Sequence, residues 1–141
     1  MKSRTLARVV ALQTLYELDM TDHPIGSTLE NRAKENALEE SQYEFALALV
    51  TGVRNNSAKL DQLITAHAPE WPLDQVAIVD RNILRMALWE LGVYKKTPLK
   101  VGINEAVELA KTFGTDSSPR FVNGVLGSLA EILDKVAVKL T

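Results

Sequence analysis

The sequence predicts an all-α fold, a compact single-domain helical bundle of about seven helices. Three observations carry that expectation. Apolar residues recur with a helical period and not with strand alternation. The five prolines and seven glycines fall mostly between periodic segments. At 141 residues, with 46% hydrophobic and 24% charged residues, the chain has the length and composition of one globular domain, residues 1–141, with a core of its own.

The elements follow in order. The first helix is expected over Ser3 to Met20, where Leu6, Val9, Val10, Gln13, Tyr16 and Met20 keep the i, i+3/i+4 rule and Leu12 and Leu15 widen the stripe. Residues 21–26, Thr-Asp-His-Pro-Ile-Gly, read as a loop. Ser27 and Glu30 have the spacing of a capping box, which starts a second helix running to about Leu38. Tyr43 to Arg54 reads as an apolar helix with Gly52 inside it, where close packing of a neighbour would offset the helix cost of glycine. Asn55-Asn56-Ser57 reads as a weak break before a further helical stretch to Ala68. Pro69, Trp71 and Pro72 form a connection, with Asp74 placed as an N-cap.

Val76 to Val93 is apolar most of the way round, as expected of a central, enclosed helix, with Asp80, Arg81, Asn82 and Arg85 on its wet side. Thr97 and Pro98 suit N-cap and N1 of the next helix, which ends at Phe113 with Gly114 as a left-handed C′ residue. Ser118 and Pro119 repeat the N-cap and N1 pairing, and a last helix is expected from Pro119 to about Lys139.

Composition narrows the chemistry. With no cysteine, disulfides, thiolate metal sites and a cysteine nucleophile are excluded, and a cytoplasmic setting fits. Neither a membrane helix nor a secretory leader is expected. His23 and His67 lie in different segments without metal-ligand spacing, and no phosphate-binding glycine loop or nucleophile elbow is present. The expectation is a chain with no catalytic residue, no metal and no cofactor.

The net charge is −2, but its distribution is uneven. Residues 1–10 carry +3, residues 11–94 carry −7 and residues 95–141 carry +2. If the two ends fold side by side, they form one cationic ledge. Three features suit single-stranded RNA. They are the basic start with Lys2, Arg4 and Arg8, the run from Asp116 to Gly124 at a helix N-terminus, and the Arg81/Arg85 pair one turn apart. The second and third have plainer alternatives. Phe121 can pack into the core, Asn123 can serve the helix terminus, and Arg81 and Arg85 can pair with neighbouring acids.

The stretch from Val79 to Leu91, Val-Asp-Arg-Asn-Ile-Leu-Arg-Met-Ala-Leu-Trp-Glu-Leu, resembles the central helix of the NusB family of transcription antitermination factors. Residues 103–114, Ile-Asn-Glu-Ala-Val-Glu-Leu-Ala-Lys-Thr-Phe-Gly, followed by Phe121-Val122-Asn123-Gly124-Val125-Leu126, resemble its most specific motif, and Ala11 to Tyr16 fits its first helix. The resemblance implies an all-helical protein that binds boxA RNA of ribosomal RNA operon leaders together with the ribosomal protein NusE, so that RNA polymerase resists premature termination. It implies RNA contacts at Lys2, Arg4, Arg8, Ser117, Arg120, Phe121 and Asn123. It implies a NusE surface at Tyr16, Asp80 and Arg81.

Thr5 and Leu6 stand where some relatives carry arginines. This implies weak RNA binding alone and tighter binding with NusE. Two further readings share the pattern: the NusB-like N-terminal domain of an RNA cytosine-5 methyltransferase, and a helical protein-interaction module without RNA binding. The wide stripe of the first helix also raises a homodimer that covers the RNA or partner face.

Overall fold

The computed structural model describes residues 3–68, 70 and 75–141. Lys2, Pro69, Trp71, Pro72 and Asp74 lie outside the described residues. The elements are α1 (Ser3–Met20), α2 (Ile25–Glu35), α3 (Glu40–His67), α4 (Ile78–Trp89), α5 (Leu99–Phe113), α6 (Ser118–Leu129) and a short α7 (Val136–Lys139). A π turn over Glu90–Tyr94 extends α4, and a 3-10 segment over Ala130–Lys135 joins α6 to α7. No strand occurs among the described residues.

Helix α4 is central, packed against α1, α3, α5 and α6. Its Ile83, Leu84 and Leu88 are fully enclosed and meet a core that includes Leu12, Leu15, Leu49, Leu60 and Leu129. Helix α1 runs antiparallel to α4. Asp19 near its end accepts from Asn82 near the start of α4, while Arg8 and Arg4 reach Glu90 and Tyr94 at the far end. Three neighbours, α2, α3 and α4, cover α1, and its Leu12, Leu15 and Leu18 are all buried. Most of the stripe that suggested a homodimer is therefore used inside the fold, while its Tyr16 and Met20 stay exposed.

Several expected boundaries move, each for a local reason. Helix α2 begins two residues before Ser27, because Pro24 sets an extended entry and its carbonyl accepts from Thr28 N–H. The Ser27 hydroxyl turns back to the same carbonyl and caps nothing. Helix α3 runs through 55–57 without a break, since Asn56 Nδ2 donates to the Gly52 carbonyl within the helix at 2.8 Å. Its start is a capping box of Glu39 and Gln42. Gly52 meets the expected close neighbour: a Cβ there would collide with the Trp89 indole.

Helix α4 starts at Ile78, and α5 follows Pro98 as N-cap, because the Thr97 hydroxyl is taken by Glu90. Gly114 is extended (φ −94°), not left-handed. Its missing side chain leaves room for Ser118 Oγ. The N-cap position of α6 is Ser117 and not Ser118, and its side chain makes no capping hydrogen bond. After Leu129 the chain tightens into the 3-10 segment, which brings Val136 onto Gly92, where an added Cβ would lie 2.6 Å from Val136 Cβ.

Candidate functional site

Arg4 is exposed on the first turn of α1. Its guanidinium lies 4.1 Å from the centroid of the Phe45 ring and donates to the Tyr94 hydroxyl at 3.0 Å. One turn on, Arg8 points inward and is 5% exposed. Its Nε donates to Glu90 Oε1 at 2.9 Å, a second N–H meets Glu90 Oε2, and Glu105 Oε1 lies 3.4 Å away. Burial opposes its charge, but the hydrogen bonds and fields of Glu90 and Glu105 outweigh burial and hold the guanidinium above its ordinary range. The expectation that Arg8 faces RNA is corrected. It is the cation of a buried ion pair that fastens α1 to the end of α4.

The connector before α6 is fixed from beneath. Ser118 is buried, and its Oγ accepts from Thr115 N–H at 2.9 Å and donates to Asp80 Oδ2 at 3.0 Å. This clamp places Ser117, Arg120 and Asn123 on the surface, with Phe121 half-buried against the core.

The polar side of α4 is a buried seam and not a wet face. Asn82 donates to Asp19, and Arg85 grips both oxygens of Asp61 at 2.6 and 2.7 Å. Burial and Asp61 act on the Arg85 guanidinium in opposite senses, and Asp61 prevails, raising it. Arg81 is half-buried and donates to the Val76 carbonyl at 2.9 Å.

Asp80, expected at an exposed partner surface, is only 8% exposed, because Ser118 covers it. Its Oδ1 is buried without a hydrogen-bond partner. Tyr16, by contrast, is exposed (41%), as is Met20 one turn later (54%).

Burial pushes the Asp80 carboxyl up from its ordinary value, and the Ser118 hydrogen bond offsets this only in part. The folded state therefore holds this proton to a higher pH than the unfolded chain does. The stability it contributes is full below the ordinary carboxylate value and is lost as pH rises through the raised one. Asp80→Asn is accordingly expected to be at least as stable as the parent at about pH 7, with the parent gaining on it toward about pH 4.5. Urea midpoints at the two pH values check this. A loss above about 1 kcal/mol at neutral pH with no pH-dependent change contradicts it.

The two cationic segments do not share one ledge. Ser118 is tied to the start of α4 and Arg4 to its end, and from Asp80 to Tyr94 a helical path rises about 20 Å. The expected single ledge becomes two patches at the two ends of one helix. Sequence reasoning missed Phe45, Tyr94 and Lys96, which complete the patch around Arg4, and the exposed Lys95 beside Lys96 in the chain. Their separation from Arg4 along the chain leaves no periodic signal.

The family model described as "NusB family" matches residues 5–131. The chain belongs to the NusB family. Among curated NusB relatives, the transcription antitermination protein of Chloroflexus aggregans is 48% identical over 128 residues, covering 89% of this chain and 85% of the relative. That of Bacillus subtilis is 42% identical over 136 residues, covering 96% and 99%.

NusB structures share the fold. T. maritima NusB superposes with a TM-score of 0.81 at 32% identity, covering 93% of this chain and 92% of that one. A chain from the crystal structure of antitermination factors NusB and NusE in complex with dsRNA gives a TM-score of 0.83 at 27% identity, covering 93% and 98%. No helix among the described residues is long and apolar enough to cross a membrane.

Proposed function

We propose that this chain is a transcription antitermination factor, a single domain over residues 1–141 that acts in the cytoplasm by binding and not by catalysis. It binds boxA-type single-stranded RNA of ribosomal RNA operon leaders together with NusE, and through that complex RNA polymerase resists premature termination. Support comes from the antitermination names of its relatives and from the related NusB–NusE–RNA complex.

The observation that carries the reading is the start of α6. There the buried Ser118–Asp80 clamp holds a hydroxyl, a guanidinium and an amide outward on Ser117, Arg120 and Asn123, beside the half-buried Phe121 ring. These are the groups that grip phosphate and read unpaired base edges. Gly124 and Gly127 lie further along α6, both exposed and both facing open space where a Cβ would be. Each weakens the helix by roughly 0.5–1 kcal/mol without relieving any contact inside the fold, and they leave room for a strand to approach the backbone. Arg4 supplies a second RNA contact, and Arg8 supports it from below. Lys2 belongs to the same basic segment. On the partner side, Tyr16 and Arg81 meet NusE, while Asp80 positions the connector.

Replacing Arg120 with alanine is expected to weaken boxA-type RNA several-fold at low salt. The log–log salt slope should become about 0.7 less steep, the share of one phosphate on a single strand. Fluorescence titrations at several salt concentrations, with an RNA duplex as competitor, measure both. An unchanged affinity and slope overturn the assignment, and preference for the duplex overturns the single-strand reading.

A further inference from the structure

Carboxylates hold several cations of this protein, and ring faces support others. Arg8, Arg32, Arg54, Arg85 and Lys111 each have a carboxylate of the same chain within 4 Å. At the far end of α4 the supports are aromatic. The Arg4 guanidinium lies over Phe45 and 5.5 Å from the Tyr94 centroid, and Lys96 Nζ lies 5.1 Å from that same centroid. Tyr94 is itself fixed by Phe45 at 5.3 Å and Trp89 at 6.0 Å, centroid to centroid. Among the described residues, neither Arg4 nor Lys96 has a carboxylate within salt-bridge distance. A ring face steadies a cation without neutralising it, so both charges stay available to an outside anion.

Next to Lys96 in the chain, the exposed Lys95 adds a third charge in an unusual backbone state. It closes the π turn by donating its N–H to the Glu90 carbonyl at 2.9 Å, with φ at 59°. That left-handed conformation is easy for glycine and costly for lysine, yet a lysine stands there with its side chain exposed.

We propose that Arg4 and Lys96, mounted on Phe45 and Tyr94, together with the adjoining exposed Lys95, form a second phosphate-binding contact for the RNA strand, about 20 Å along α4 from the Ser117–Asn123 contact. The inference rests on the RNA-binding reading above and extends it. It adds two lysines and an aromatic base to a contact that sequence placed on the N-terminal segment alone. Separate point charges match the spaced phosphates of a strand, and the patch is continuous with Arg4, already assigned to RNA. A strand held at both ends must pass across the intervening face. The two contacts then act as linked sites, and each raises the effective concentration of RNA at the other.

The test is a salt-dependent titration of boxA-type single-stranded RNA against the full chain and a Lys95→Gly/Lys96→Gln variant. Lys95→Gly relieves the backbone as it removes the charge, so loss of fold does not mimic loss of binding, and urea unfolding checks this. The variant is expected to bind several-fold more weakly at low salt, with a slope about 1.4 less steep, at unchanged or higher stability. With an oligonucleotide too short to reach both patches the linkage is lost, and the fold-difference between parent and variant is expected to shrink.

If the double variant binds full-length RNA like the parent while Arg120→Ala weakens it, this inference fails and the RNA reading stands. If the parent binds no RNA, both fail. If the variant loses only affinity for NusE, the patch is an acidic-protein surface and the inference is overturned.

Discussion

Glu90→Ala is expected to destabilise the fold by about 3–5 kcal/mol, the largest loss we expect from a single polar side chain here. The residue is 3% exposed, and its carboxylate accepts from Arg8 and from the Thr97 hydroxyl. Truncation leaves the Arg8 guanidinium inside the protein with only Glu105, 3.4 Å away, as a carboxylate partner. Most of the loss is the desolvation of that stranded cation, not the attraction removed.

Two companion variants separate the terms. Glu90→Gln keeps an acceptor and the shape of the side chain and should lose less. Arg8→Met combined with Glu90→Met removes both charges and should recover most of the stability lost in Glu90→Ala, a coupling that a double-mutant cycle reports. Guanidinium unfolding at neutral pH measures all of these. A loss below about 1 kcal/mol for Glu90→Ala would show that the pair is solvated and that α1 is held by apolar contacts alone.

That pair also shows where sequence reasoning stops. Helix α1 is found over the expected residues because its apolar stripe and the loop after Met20 are local signals. The close neighbour of Gly52 was legible for the same reason: a glycine in the middle of an apolar helix calls for a compensating contact, here Trp89. Arg8 was different. Its position one turn from Arg4 suggested a shared exposed face, but its partner lies 82 residues away on α4, and no periodicity reports such a contact.

Asp80 was misread in the same way. A carboxylate on the polar side of a helix looks wet until Ser118 closes over it. The continuity of α3 escaped because Asn56 is a breaker only where its amide competes with the helix, and here it bonds back into the helix. At the candidate site, the motif beginning at Phe121 pointed to a surface where Asn123 is exposed and Phe121 half-buried. The aromatic mounting of Arg4 could not be read, since Arg4, Phe45 and the Tyr94–Lys96 turn come from three different stretches of chain.

The other large effect concerns the partner. The two patches supply few free cations, and Arg8, one of the three basic residues at the start of the chain, is committed to Glu90 and Glu105. Each missing phosphate contact lowers affinity and flattens its salt dependence, so the isolated chain is expected to hold RNA weakly. NusE, proposed to meet Tyr16 and Arg81, is expected to add contacts to the same strand. The coupling should lie in the range of about 5–150-fold usual for linked sites. Linkage fixes a second result: RNA must tighten NusE binding by the same factor.

The central claim, that this fold presents RNA jointly with a partner, is tested most directly by one thermodynamic square: boxA-type RNA titrated onto the chain with and without saturating NusE, and NusE titrated with and without saturating RNA, in one buffer. The account predicts tightening on both sides, by about tenfold or more and by equal factors. Identical RNA affinity in the presence and absence of NusE would contradict it.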